Sequence, residues 1–191
     1  MKNRIKTQPA VEPVSLSEMR LQLGISQADD AVRDEVISAR ITSARRWAEQ
    51  YTGIGFITQT WTAYDDCFQP FFDLKMDLKT IVSVKYIDTG GVQQTLEAEN
   101  YLVDAVSSRL YPAYGITWPS TRNQVNAVEI EYTLGFGGAA SVPEDIKDAI
   151  KFIVGHWENY QSDIEGAVKI TTIPYAVEQL LRMYRDFRDL F

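Results

Sequence analysis

Between residues 30 and 51 the apolar positions return at helical spacing. Ile37, Ile41, Ala44, Ala48 and Tyr51 step by four, three, four and three, so they share one side of a 3.6-residue helix. Val32, Val36, Ala39, Ser43 and Trp47 form a second line beside the first, while Arg33, Asp34, Arg40, Arg45, Arg46 and Glu49 fill the remaining surface. The pattern predicts a helix about 33 Å long with a broad buried face. Thr52-Gly53 ends it, because glycine takes the left-handed cap at little steric cost, and Gly55 loosens the turn into a strand that starts near Ile57. Upstream, Ser15 followed by Glu18 has the form of a capping box, with Leu16, Met19 and Leu23 on one face and Gly24 as the stop. Residues 1–14 hold Pro9 and Pro13 and show no period, which predicts an extended N-terminal arm, mobile unless a partner pins it.

From residue 56 to 140 the pattern changes to short runs of Val, Ile, Tyr, Thr and Phe between turn residues, the signature of antiparallel strands. About six are predicted: 57–65, 71–74, 81–88, 92–96, 101–103 together with 109–111, and 128–134. Thr89-Gly90-Gly91 reads as a hairpin turn. Val82, Val84 and Tyr86 alternate with Ser83 and Lys85, and Val128, Ile130 and Tyr132 with Glu129 and Glu131, so each strand has one buried and one wet face. Residues 112–126, with Trp118-Pro119, read as a long loop.

Helix resumes at Ser141-Val142-Pro143-Glu144, with serine as N-cap and glutamate at the capping-box position, and Ile146, Ala149, Ile150, Ile153, Trp157 and Tyr160 hold its apolar face. After a loop at 161–174, Val177, Leu180, Leu181, Tyr184 and Phe187 line a last helix that carries Arg182, Arg185 and Arg188. The prediction is an α+β chain: a bundle of about four helices, two N-terminal and two C-terminal (15–55 and 141–191), with an inserted antiparallel β domain at 56–140.

Composition narrows the function. No apolar run approaches the roughly 20 residues that span a bilayer, and the basic start is not followed by an apolar signal core, which predicts a cytoplasmic protein without a membrane segment. One cysteine excludes an internal disulfide, and one histidine leaves no cluster of soft zinc ligands. Net charge is −7, and residues 57–140 hold ten acids against five bases. Lys2, Arg4 and Lys6 are too few for tight DNA binding, whereas an acidic ring can surround DNA without gripping it.

Candidate chemistry is thin. Asp65, Asp66, Glu129 and Glu131 could bind a cation or move protons, but two of them end a strand and two lie on a wet face, where acids are simply solvated. His156 has no serine, cysteine or acid at a spacing that marks a general base, and Cys67 has no motif around it. Gly135-Phe136-Gly137-Gly138 precedes a helix as phosphate loops do, yet lacks the lysine and the spacing, and reads as a flexible hinge. Tyr184, Phe187 and Phe191 suit either a core or a partner surface.

Several runs together resemble the head-tail connector (adaptor) proteins of long-tailed bacteriophages and prophages. They are Val11-Glu12-Pro13-Val14-Ser15-Leu16, Ala48-Glu49-Gln50-Tyr51-Thr52-Gly53, Ile57-Thr58-Gln59-Thr60-Trp61, Ser83-Val84-Lys85-Tyr86-Ile87-Asp88, Tyr111-Pro112-Ala113-Tyr114-Gly115, Asn126-Ala127-Val128, and Val142-Pro143-Glu144 leading to His156-Trp157. The resemblance implies a non-enzymatic virion structural protein with no cofactor. It would form a ring, typically of twelve copies, beneath the portal protein and join the DNA-filled head to head-closure (stopper) or tail proteins. DNA would pass through the lumen without specific binding. The protein would reside at the head-tail junction of the virion, and in the host cytoplasm before assembly. On this reading Tyr184, Phe187, Arg188 and Phe191 meet the portal, and Ile164, Ile170 and Ile173 meet a ring neighbour or a tail-side partner. Shorter family members look all-helical, so the β insertion departs from them. A metal-assisted hydrolase using the four carboxylates and a small regulatory binding module stand as alternatives.

Overall fold

The structure is a computed structural model that describes residues 1–25, 31–159 and 175–186. The chain forms two compact units, one of Met1–Pro9 with Thr58–Phe136 and one of Ala10–Ile57 with Gly137–Phe191.

The first unit is a pair of antiparallel sheets. Strands β1 (Lys2–Thr7), β2 (Gln59–Asp65), β3 (Phe72–Asp73), β4 (Leu78–Ile87), β5 (Gln93–Leu96), β6 (Tyr101–Asp104), β7 (Arg109–Pro112) and β8 (Val128–Leu134) appear in that chain order. A five-stranded sheet has the order β1-β2-β8-β4-β5, and a three-stranded sheet the order β3-β7-β6. Central β8 shows why the pattern was readable: Val128, Ile130, Tyr132 and Leu134 are buried and every residue between them is half-buried. They join Phe72, Leu74, Val84 and Leu110 in one core. Trp118, from the long loop, stacks on Phe68 with ring centroids 4.8 Å apart and meets Phe72 edge-on, so this loop supplies an aromatic cover to the core.

One expectation is refined here and one changes. The extended arm expected at 1–14 is paired over residues 2–7 as the edge strand β1, in which Lys2 pairs with Tyr64 and Arg4 with Thr62. An edge strand of this kind needs no apolar period, because backbone pairing and polar contacts hold it: Lys6 Nζ lies 2.7 Å from Glu131 Oε2, and the Tyr132 hydroxyl 3.0 Å from Asn3 Oδ1. Val82 is 53% exposed rather than core, because the β4–β8 register shifts between Ile81 and Ser83. That bulge adds one residue, moves Ile81 to the core face and turns Val82 out.

The second unit contains helices α1 (Leu16–Gln22), α2 (Ala31–Thr52), α3 (Glu144–Asn159) and α4 (Tyr175–Arg182). Helix α1 carries the predicted capping box: Glu18 N donates to Ser15 Oγ at 3.2 Å and Ser15 N to Glu18 Oε2 at 2.7 Å. In α2 the first stripe, Ile37, Ile41, Ala44 and Ala48, is buried, as are Ile146, Ala149, Ile150 and Ile153 of α3, and the two helices are in contact. Val177 and Leu181 of α4 are also fully buried. The second line is not part of that face: Val32 is 67% and Val36 41% exposed, and Ala39 and Ser43 are exposed. Arg45 reverses the expectation in the other direction, being only 2% exposed instead of lying on the surface. Gly53, at φ +80°, closes the helix, and its N–H donates to Glu49 O at 2.9 Å.

The start of α3 also differs in detail. Ser141 closes a short 3-10 turn (Ala139–Ser141), and Val142 is extended. The cap role falls to Pro143, whose carbonyl accepts from Ile146 N and Lys147 N. Proline fixes φ but leaves ψ free, so it can enter the helix while serine serves the preceding turn.

Candidate functional site

Helix α2 and the segment after α4 build an aromatic and basic surface on the helical unit. Trp47 and Tyr51 lie four residues apart on α2, so their rings stack with centroids 5.3 Å apart and planes at 15°. The Arg185 guanidinium lies over the Tyr51 ring, 5.2 Å from its centroid. This placement is secured by the backbone: Asp186 N donates to Thr52 O at 2.6 Å. All three ladder residues are half-buried, and Arg46 and Arg182 beside them in the chain are exposed.

Beneath this surface lies a charged network. Arg45 Nε donates to Glu12 Oε2 at 2.7 Å and Nη1 to Glu49 Oε2 at 2.6 Å. Glu12 also accepts from the Thr42 hydroxyl at 2.9 Å, and Glu49 from Phe56 N at 3.0 Å. Burial opposes the Arg45 charge, but the hydrogen bond with Glu12 and the charges of both glutamates outweigh it and hold the guanidinium above its ordinary value. Arg40 pairs with Glu158, and Arg20 forks onto Asp34, tying α2 to α3 and α1. These groups are committed to structure rather than reaction.

Among the partner residues expected from the sequence, Tyr184 is half-buried, and its hydroxyl reaches Asp145 Oδ2 at 3.4 Å. Burial first, then the Asp145 charge, pushes its phenol up. Phe187, Arg188, Phe191, Ile164, Ile170 and Ile173 lie outside the described residues.

The candidate carboxylates are dispersed into local bonds. Asp65 faces the terminal amino group at 3.4 Å, Asp66 accepts from Asn126 N at 2.8 Å, Glu131 holds Lys6, and Glu129 stands opposite Lys85 in the β4–β8 register. Among the described residues no three His, Cys, Asp or Glu side chains come close enough to hold a metal ion. His156 is half-buried on α3, and exposed Cys67 Sγ accepts from Gln69 Nε2 at 3.4 Å. A groove of about 500 Å³ beside α1 is lined by Ser15, Leu16, Ser17, Arg20, Leu21 and Ile25, with Arg20 already engaged by Asp34. No described helix is long and apolar enough to cross a membrane.

Sequence reasoning missed the Glu12–Arg45 link and the Arg185 cover. The i,i+4 spacings Arg45/Glu49 and Trp47/Tyr51 were the available signals. The other partners lie far away in the chain, where no local spacing points to them.

No curated protein matches the chain. Among solved structures it is similar to the neck of an empty GTA particle computed with C6 symmetry, with TM-score 0.79, 21% identity and coverage of 98% of this chain and 97% of that one. It is also similar to a chain in the virion of a native gene transfer agent (GTA) particle, with TM-score 0.78, 20% identity and coverage of 98% and 97%. The neck of a native GTA particle computed with C12 symmetry gives TM-score 0.71 at 21% identity, with coverage of 98% and 97%. These likenesses establish a shared fold over nearly the whole length of both chains, with the β unit included. The sequence profile of the head completion protein family matches residues 14–187, which span all four helices and seven of the eight strands, and the chain therefore belongs to the head completion protein family.

Proposed function

We propose that this head completion protein assembles as a ring beneath the portal, joins the head to the head-closure or tail proteins, and lets DNA pass through its lumen. The observation that carries the reading is the family match over residues 14–187. The similar solved chains come from neck and virion particles, two of them computed with C6 or C12 symmetry, which supports a cyclic assembly; the copy number in this reading is twelve. A net charge of −7 suits a conduit from which like-charged DNA slides freely. The segment from Tyr184 to Phe191 would dock on the portal, and the 161–174 segment on a ring neighbour or tail-side partner. The protein would wait in the host cytoplasm and function at the head-tail junction.

The test is mass by light scattering on the purified protein, alone and mixed with its portal, with electron microscopy of any large species. A ring in either sample supports the reading. A monomer that ignores the portal overturns it.

A further inference from the structure

A ring of identical copies needs two different faces on each copy, one to meet the neighbour on either side. Each of the two units carries one face, and the two are of opposite chemistry. One is the Trp47–Tyr51–Arg185 ladder, whose rings are only partly covered within the chain. Exposed Arg46 adjoins Trp47, exposed Arg182 lies one turn before Arg185, and neither forms an ion pair with a described residue. Trp, Tyr and Arg dominate protein contacts because they combine large, rigid apolar area with a polar tip.

The other face is β6, the edge of the three-stranded sheet. Its register with β7 pairs Val103 with Leu110, both packed in the core, and so turns Leu102 to the outer face. Leu102 is 61% exposed, and Val106 in the following turn is 92% exposed. Glu97 and Glu99, which lead into the strand, are exposed as well. Asp104 is spent on its own turn, accepting from Val106 N and Ser107 N. The outer face of β6 and its flanking turns thus combine an acidic entry with the uncovered aliphatic side chains of Leu102 and Val106.

We propose that the copy-to-copy contact of the ring seats the outer face of β6 and the acidic turn before it in one copy against the Trp47–Tyr51–Arg185 ladder of the next. The inference rests on the ring reading above. Charge favours this pairing over either face meeting itself, since a self-contact would oppose Arg46 and Arg182 with their own copies, or Glu97 and Glu99 with theirs. The aliphatic Leu102 gives the aromatic ladder something to bury, and the arginines give the two glutamates partners.

The test uses charge reversal in the full chain. Arg46→Glu with Arg182→Glu alters one face, Glu97→Lys with Glu99→Lys alters the other, and a fourth protein carries all four changes. Circular dichroism checks folding, sedimentation velocity follows self-association, and electron microscopy follows ring formation on the portal. Each double variant is expected to fold and to weaken self-association by about tenfold or more, with the fourfold variant recovering it. Rings that form equally well with either double variant overturn the inference and leave the ring reading standing. Wild-type protein that forms no ring with or without the portal overturns the ring reading itself.

Discussion

Arg45 Nε sits 2.7 Å from Glu12 Oε2, a bond between residues 33 positions apart that ties the segment before α1 to the middle of the long helix. The guanidinium is 2% exposed, while Glu12 is 28% and Glu49 12% exposed, so the cation is the buried member and its partners keep some access to water. Removing Arg45 leaves two facing carboxylates and a void. Arg45→Ala is therefore expected to destabilise the helical unit by about 3 kcal/mol, and Glu12→Gln by about 1 kcal/mol, since an amide still accepts a hydrogen bond. Urea unfolding followed by helical circular dichroism measures both.

Tyr132 is fully buried, and burial drives its phenol well above the ordinary range. The folded state therefore keeps the proton where the unfolded state loses it. Sheet stability that is complete below the unfolded value, about pH 10, should fall as pH rises beyond it. Tyr132→Phe should lessen this alkaline slope and cost about 1 kcal/mol at neutral pH through the lost bond to Asn3. Denaturation midpoints between pH 8 and 11 on the two proteins decide the matter, and an identical slope in both would refute it.

The bulge in β4 makes a sharp contrast between neighbouring valines. Val82→Thr should change stability by less than about 0.5 kcal/mol, while Val84→Ala should cost about 2 kcal/mol from the core. Strict alternation would have made the two positions equivalent, so equal thermal shifts would count against the bulge.

Gly137 adopts φ +139°, and an added Cβ would lie 2.9 Å from Ser141 Oγ. Gly138 has φ −79° and open space around it. Gly137→Ala is expected to cost more than about 1 kcal/mol and Gly138→Ala very little. Melting temperatures of the pair provide the comparison.

For portal docking, deletion from Tyr184 onward would also remove the Tyr184–Asp145 bond, the Arg185 cover and the Asp186–Thr52 bond. Phe187→Ser with Phe191→Ser is the cleaner variant. It should retain the wild-type circular dichroism spectrum and lose capture by portal rings, and normal capture would refute the assignment of these aromatics to the portal.

Legibility followed the distance over which each feature is set. The Ser15–Glu18 capping box, the Ile37–Ala48 stripe, the Gly53 stop and the alternation of β8 all involve residues within a few positions of one another, and the structure shows each of them. The Trp47–Tyr51 stack belongs to the same class, since i,i+4 spacing on a helix brings two rings together.

Other features depended on partners far away in the chain. β1 is a strand because residues 59–65 offer it an edge, and its own six residues carry no apolar period that announces this. Val82 faces outward because the register to β8 shifts, Arg45 is buried because Glu12 returns to it, and Trp118 covers the core because Phe68 stands there to stack on. The sequence by itself determined the helices, the alternating strands, the turns and the resemblance that led to the family, all of which reside in local period, caps and short runs. Only the tertiary structure decided edge pairing, register and the fate of each charge, because those follow from which distant surfaces meet and how completely they exclude water.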